Sequence, residues 1–510
     1  MGTDSVLIQT FMHVMFGAKH RGAPPLIRVL TILCLLATYW VVPCQASPVL
    51  EMLGTDTPDH PWSGRSASEG PSTAYFNPAR LSKNRRITRF SYLVTARQLQ
   101  LDYGTRPAGY DVPESVYSGR QWVDGNLRPL DGRPFATADL PHARPNSQRD
   151  DTVEHFLVFG LSMPLIENRL SLGILTTLKA GFLQTQRPFF PDERQQYFGD
   201  GLTFEFMGDR LESMMATIGI ALQITETLAV GVGGTLLNNA SSVPQIYIPD
   251  ASDQEQAQTT PVIEVEPTIA PHFGVVWSVL ETVEVSSALH LPSESRLTGQ
   301  GQLRFWEFEY PDGQDRLNQP FELVFMSQPL RASLGVKIEH RVSENSDLEV
   351  YGDTQWTQWS RYVARHGETP SDWSDTVAGA VGLRWSMGPQ RLGWAVHYSP
   401  TPVPEQNGRT NYVDNTRLAT QLGWSWTMLR DGYALNLGVG VQCQRWLSRT
   451  HFKTHDAIDA IVDEFPESVD ARTLEPIPES RGVQTNNLGF PYYSHGGWLN
   501  TVIFSVALVQ

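Results

Sequence analysis

Tyr433-Ala434-Leu435-Asn436-Leu437-Gly438-Val439-Gly440-Val441-Gln442-Cys443 alternates without a break. Tyr433, Leu435, Leu437, Val439, Val441 and Cys443 share one face, and Ala434, Asn436, Gly438, Gly440 and Gln442 share the other. A period of two is the period of a β-strand with unlike faces. The pattern recurs. Leu330, Ala332, Leu334, Val336 and Ile338 alternate with Arg331, Ser333, Gly335, Lys337 and Glu339. Met214, Ala216, Ile218, Ile220 and Leu222 form a third row, and Val377, Val381, Leu383, Trp385 and Met387 a fourth. A soluble β-sandwich or propeller would also alternate. Here, however, the less apolar face is rich in Gly and small polar residues, as the wall of a lumen would be.

The connections alternate as well. Tight ones fall at 164–168, 224–227, 279–283, 342–346, 388–390 and 429–432, with longer ones between them. Short turns on one side and long loops on the other mark an outer-membrane barrel. Strands are expected at about 86–103, 153–163, 169–181, 209–223, 228–238, 262–279, 283–310, 318–341, 347–362, 373–387, 391–400, 414–428, 432–447 and 495–509. The expected fold is therefore all-β: a 14-stranded antiparallel transmembrane β-barrel, its even count placing both chain ends on the periplasmic side. Several windows exceed the ~9–11 residues a crossing strand needs, so some strands should project above the membrane. Trp356, Trp359, Trp385, Trp394, Trp424, Trp426, Trp446 and Trp498 near strand ends fit interfacial girdles. The longest loops are about 104–152 and 448–494.

Composition agrees. Of 510 residues 18% are charged, fewer than the ~25% usual in soluble domains. Helical runs long enough to cross a bilayer repeatedly are missing from the sequence. The net charge of −15 argues against nucleic acid as a partner. The run Val29–Val42 follows Lys19, Arg21 and Arg28 and precedes Pro43-Cys44-Gln45-Ala46, which reads as a signal peptide over 1–46, cleaved after Ala46. A lipid anchor on Cys44 is the alternative, but Val-Val-Pro is a poor context for one. Removing 1–46 leaves Cys443 as the single cysteine, so no intrachain disulfide can form.

A barrel of this girth cannot be filled by its own side chains. Residues 47–85 precede the first strand and are punctuated by Gly54, Pro58, Pro61, Gly64, Gly70, Pro71 and Pro78, yet carry Leu50, Met52, Leu53, Trp62, Tyr75, Phe76 and Leu81. They suit an N-terminal plug, or hatch, inside the lumen; a free periplasmic tail is the other reading. Residues 86–510 would form the barrel.

Ser72-Thr73-Ala74-Tyr75-Phe76-Asn77-Pro78-Ala79-Arg80-Leu81 resembles the hatch motif of the long-chain fatty acid transporter family of outer-membrane proteins. Three further stretches resemble that family in order: 159–173, the segment from Leu334-Gly335 to Gly352–Tyr362, and Tyr398–Pro404 followed by Asp414–Arg417. The resemblance implies a monomeric fourteen-stranded barrel with a hatch. Loops capture hydrophobic molecules, an internal pocket holds them, and they leave laterally to the bilayer through a kinked third strand. It implies no enzyme activity, cofactor or metal. Partners would be hydrophobic small molecules (fatty acids or hydrocarbons), outer-membrane lipid and lipopolysaccharide. The location would be the outer membrane of a Gram-negative-type bacterium. A structural or surface-interaction barrel without transport is the alternative.

The candidate site residues follow. Asn77, Pro78, Ala79 and Arg80 are the hatch motif. Arg80 stands where the family usually has Gly, and its charge should meet a carboxylate of the lumen or of a cargo. Phe182, Phe189, Phe190, Tyr197 and Phe198 could capture an apolar ligand, and Lys179 and Arg187 could meet its carboxylate. His451 and His455 have i,i+4 spacing, which suits a metal site or a solvated loop. No Gly-x-Ser-x-Gly nucleophile motif is present.

Overall fold

Lipid offers no hydrogen-bond partner to a backbone amide, so a sheet that crosses it must close. In the computed structural model the sheet does close. The structure describes residues 49–104, 147–180, 215–237, 241–242, 246–247, 257–265, 268–305, 317–364, 367, 369–370, 372–408, 410–453, 489 and 491–510. Its strands are β1 (Ile87–Tyr103), β2 (Ser147–Ile166), β3 (Leu170–Lys179), β4 (Met215–Gln223), β5 (Leu228–Leu237), β6 (Ser241–Ser242), β7 (Ile246–Tyr247), β8 (Ala257–Val265), β9 (Thr268–Leu280) and β10 (Val283–His290). They continue with β11 (Ser293–Phe305), β12 (Leu317–Gln328), β13 (Arg331–Ser343), β14 (Ser346–Thr357), β15 (Thr376–Met387), β16 (Gln390–Ser399), β17 (Arg417–Arg430), β18 (Tyr433–Phe452) and β19 (Tyr492–Val509). Fourteen of them form the barrel, in the order β1, β2, β3, β4, β5, β9, β10, β13, β14, β15, β16, β17, β18, β19, and back to β1. The seam is antiparallel from Ile87↔Val509 to Tyr103↔Tyr493.

All six expected tight connections are present, joining β2–β3, β4–β5, β9–β10, β13–β14, β15–β16 and β17–β18. The last is Asp431-Gly432, where Gly432 takes φ +85, the left-handed backbone that a two-residue hairpin needs. Three expected strands turn out to be pairs. The windows 262–279, 283–310 and 318–341 divide into β8/β9, β10/β11 and β12/β13. Pro292 and Pro329 sit at two of these divisions, where a ring nitrogen cannot donate to a ladder. The outer pieces β8, β11 and β12, with β6 and β7, make a separate five-stranded sheet. The final strands run further than expected, to Phe452 on β18 and from Tyr492 on β19, which shortens the last loop.

The two faces separate as the alternation requires. Across β1, β19 and β18 the outward rows read Phe90–Val506–Leu437, Tyr92–Phe504–Val439 and Val94–Val502–Val441. Phe273, Trp277, Leu334, Val381, Leu422 and Trp424 continue this exposed apolar belt around the barrel. At about 3.3 Å per residue, the eight steps from Thr88 to Ala96 span roughly 26 Å along the strand, about 20 Å of height at the ~40° tilt of such barrels, most of their ~25 Å apolar band. Trp385, Trp394, Trp424, Trp426 and Trp498 face outward, as expected of girdle residues. Trp446 does not; it is fully buried and points into the lumen. It occupies an even-numbered position in register with Gln442 and Gln444, which also face inward.

β3 keeps an unbroken register with β4 from Leu170 to Thr177. Its pairing with β2 shifts only at Pro164/Ile166, beside the turn. The described span of β3 thus lacks the kink that the resemblance implies.

Val381, 62% exposed at the middle of β15, tests the belt. Val381→Arg should destabilise the folded barrel by about 2–4 kcal/mol, as a cation at the lipid midplane does. Gln98→Arg, on the polar outer surface above the belt, should be nearly neutral. Equilibrium unfolding in lipid vesicles measures both.

Candidate functional site

Residues 49–84 lie inside the barrel, and nearly all of them are buried. Helix α1 (Val49–Leu53) ends at Gly54, whose amide bonds to the Leu50 carbonyl at 2.7 Å while φ is +79, a left-handed helix stop. Helix α2 (Thr73–Phe76) is followed by a 3₁₀ turn over Pro78–Lys83. Asn77 caps that turn: its Oδ1 accepts from the Ala79 amide at 3.2 Å, and Pro78 follows with no N–H to satisfy.

The hatch motif sits against the wall rather than in open space. The Asn77 side-chain amide donates to the Val275 carbonyl on β9 and the Ser287 carbonyl on β10, both at 3.3 Å. Gly274 and Gly231 face the motif, and a Cβ on either would overlap Asn77 or the Pro78-Ala79 backbone. On the opposite wall Gly393 and Gly423 receive the Pro58-Asp59 backbone in the same way. The small residues of the inner face are thus seats for the plug.

Arg80 is only 1% exposed. Its guanidinium donates to the carbonyls of Ser66 (2.6 Å), Ala67 (3.0 Å) and Ser68 (3.0 Å), and approaches Glu284 at 3.4 Å. Of the two partners expected for it, the protein carboxylate is the one it has. Glu284 also takes Lys337 at 2.9 Å and Lys83 at 3.6 Å. Two further ion clusters tie plug to wall. Glu51 meets Arg331 at 2.7 Å and Arg65 at 2.6 Å, and accepts from the Tyr75 hydroxyl at 2.8 Å. Glu349 meets Arg384 at 2.8 Å and lies against His60. Arg384 also reaches Glu69 at 3.4 Å. Buried charges persist only when paired in this manner. Neutral bonds add to the fastening: Gln442 and Gln444 donate to the Leu53 and Met52 carbonyls, Tyr351 to Pro61, and His272 to Ala74.

One part of the lumen is apolar. Val49, Leu50, Met52 and Leu53 of α1 join Leu93, Leu99 and Leu101 of β1, Phe156 and Val158 of β2, Leu175 of β3, Trp446 of β18 and Leu499 and Ile503 of β19 in one continuous cluster. It extends to Tyr103 and Tyr493 at the upper end of the seam. An apolar lining with a few polar groups at its edges is the chemistry of a site for an apolar molecule.

The other candidates fare differently. Lys179, at the upper end of β3, bonds to the buried Glu154 at 2.9 Å. Phe182, Phe189, Phe190, Tyr197, Phe198 and Arg187 lie outside the described residues, as do His455 and the apolar stripe of 456–465. His451 is on β18 and buried, not in a loop. Its Nδ1 accepts from the Gln406 amide at 3.1 Å, so its Nε2 carries the proton toward His495 Nε2 at 3.1 Å. His495 Nδ1 then donates to Asn415 Oδ1 at 2.9 Å. This relay fastens the Pro-rich loop 401–413 to β18 and β19. Sequence reading missed the relay and the Glu51 and Glu349 clusters, and of the third it expected only that Arg80 would meet a carboxylate. The signal for the clusters was there, since Lys337, Glu349 and Arg384 each occupy the inward phase of a strand whose other phase is apolar.

These features define a membrane-spanning β-barrel with a folded segment lodged in its bore. No family model and no curated protein matches the chain. Among solved structures it is similar to a FadL homologue of Pseudomonas aeruginosa, at 15% identity and a TM-score of 0.52, over 92% of this chain and 98% of that one. It thus shares the fold of the FadL-type proteins. The toluene transporter TodX of Pseudomonas putida aligns at 11% identity and a TM-score of 0.46, over 92% and 99% of the two chains.

Arg80→Met should loosen the plug without unmaking the barrel. It leaves three carbonyls without donors, each costing about 1–3 kcal/mol, while Glu284 keeps Lys337. Limited proteolysis should cleave within 49–84 faster than in the wild type, with the heat-modifiable barrel band unchanged. Equal cleavage would remove Arg80 from the set of fastenings.

Proposed function

We propose that the chain is a passive outer-membrane carrier of hydrophobic molecules, long-chain fatty acids by default, with lateral exit to the bilayer. The observation that carries this reading is the apolar cluster lining the lumen from Tyr103 and Tyr493 down to α1. A polar pore has no use for such a lining. Burial at roughly 25 cal/mol per Å² holds an alkyl chain firmly enough to capture it and weakly enough to release it. Because α1 presents Val49, Leu50, Met52 and Leu53 to the same cluster, α1 and a cargo compete for one surface. Displacement of α1 by cargo then loosens the plug, and no cofactor or catalytic group takes part.

The remaining assignments belong to the same proposal. Residues 1–46 are the export signal and 47–85 the moving hatch. The protein works as a monomer in the outer membrane of a Gram-negative-type bacterium, among lipopolysaccharide. The loop aromatics Phe182, Phe189, Phe190, Tyr197 and Phe198 make the first contact with cargo, with Lys179 and Arg187 beside them. The competing reading is a structural barrel whose plug never moves, and the three ion clusters holding 49–84 favour it.

Radiolabelled oleate uptake separates the two. Asn77→Ala with Pro78→Ala should lower uptake severalfold while the barrel still assembles, because the cap that seats the hatch on β9 and β10 is gone. Unchanged uptake in a strain lacking the protein altogether would favour the structural barrel. Swelling of protein-loaded liposomes in sugar solution would indicate a general polar porin instead.

A further inference from the structure

A second concave site lies on the outside of the barrel, away from the lumen. It is an indentation of about 460 Å³ across the seam of β18, β19 and β1, within the ~300–1,000 Å³ range of small-molecule sites. The register explains its shape. The lower rim is the row Arg445–Trp498–Gln98 and the upper rim the row Thr450–Ser494–Asp102. Between them Gly496 stands opposite Gln100 and has no side chain. β18 bulges at the same height, its register shifting between Trp446 and Arg449, and Ser448 closes the other side. A Cβ on Gly496 would come within 2.6 Å of Ser448 Oγ, so glycine and bulge together make the hollow.

Its level is fixed by the rows beneath it. Val94–Val502–Val441 is the uppermost fully apolar row, Ala96–Asn500–Cys443 follows, and the rim row comes next. The hollow therefore opens just above the lipid core, at the height of outer-leaflet headgroups. Its chemistry is also specific. The Arg445 guanidinium lies 4.6 Å over the Trp498 ring at the edge of the hollow. Arg445 and Trp498 both line the hollow. Gln98, Ser448, Thr450 and Ser494 add neutral donors and acceptors, and Asp102 with Gln100 supplies a hydroxyl acceptor.

We infer that this hollow binds the phosphorylated saccharide headgroup of an outer-leaflet glycolipid. Arg445 takes the phosphate in a bidentate pair, the edge of Trp498 and the neutral side chains take the sugar, and Asp102 accepts from its hydroxyls. The acyl chains then lie on the apolar rows Tyr92–Phe504–Val439 and Phe90–Val506–Leu437 below. The inference rests on the belt lying in lipid and is independent of what the lumen carries, so a failure of oleate uptake would leave it standing.

Native mass spectrometry of the full protein in detergent tests it. The probe is a glucosamine-disaccharide lipid bearing two phosphates. Its dephosphorylated form, phosphatidylglycerol and free glucosamine phosphate serve as comparisons. The wild type should retain the phosphorylated glycolipid best. Arg445→Gln and Trp498→Leu should each weaken retention by about tenfold, the weight of one lost charge-assisted contact. Trp424→Leu, elsewhere on the belt, should leave it unchanged, and heat-modifiable migration should show every variant to be a folded barrel. Equal retention by Arg445→Gln and the wild type would overturn the assignment. So would equal retention of phosphatidylglycerol, which would mean a simple anionic-lipid contact, or a preference for free glucosamine phosphate, which would mean a soluble ligand.

Discussion

A backbone amide facing hydrocarbon can place its hydrogen bond only on the next strand, and that requirement shapes everything else in this chain. It forces closure, and the seam from Ile87↔Val509 to Tyr103↔Tyr493 supplies it. Closure with fourteen strands leaves a bore too wide for side chains to fill. The bore is filled by main chain instead. Main chain approaches a strand closely only where the strand has no side chain, which accounts for Gly231, Gly274, Gly393 and Gly423 on the inner face.

The plug is held by charge as well as by apolar contact. Arg80, Arg331 and Arg384 each join a plug group to a wall group, through Glu284, Glu51 and Glu69 respectively. Such pairs contribute little net stability compared with an apolar contact of the same size, but breaking one partner is costly. They define one position of the plug sharply. Apolar contact is concentrated between α1 and the wall of β1, β2, β18 and β19. Glu51 of the same helix pairs with Arg331, so α1 is held by charge as well as by apolar contact.

Much of this was legible in the sequence, for identifiable reasons. The outer face is read by lipid alone, so alternation such as Leu435, Leu437, Val439 and Val441 survives undiluted and gives both strand count and phase. Short turns betray themselves through residues such as Asp431-Gly432. The hatch motif was legible as a resemblance, and the structure supplies its physics in Asn77 and its two wall carbonyls. What sequence could not give was partnership across long separations. Glu51 and Arg331 are far apart in the chain, and nothing local says they meet. Nor does composition say which side of a strand a tryptophan faces, and Trp446 turned inward where a girdle was expected. The divided strands at Pro292 and Pro329 were misjudged because alternation continues through the bend, although the hydrogen-bond ladder does not. The loop aromatics between Phe182 and Phe198 lie outside the described residues, so their part in capture rests on composition.

The central claim is that residues 49–84 close the bore. Ionic current through single barrels in a planar lipid bilayer measures that claim directly. The intact chain should be electrically silent apart from brief openings, and a chain lacking 49–84 should carry a large steady current. Equal steady currents from the two would contradict the account, because the bore would then be open with its plug in place.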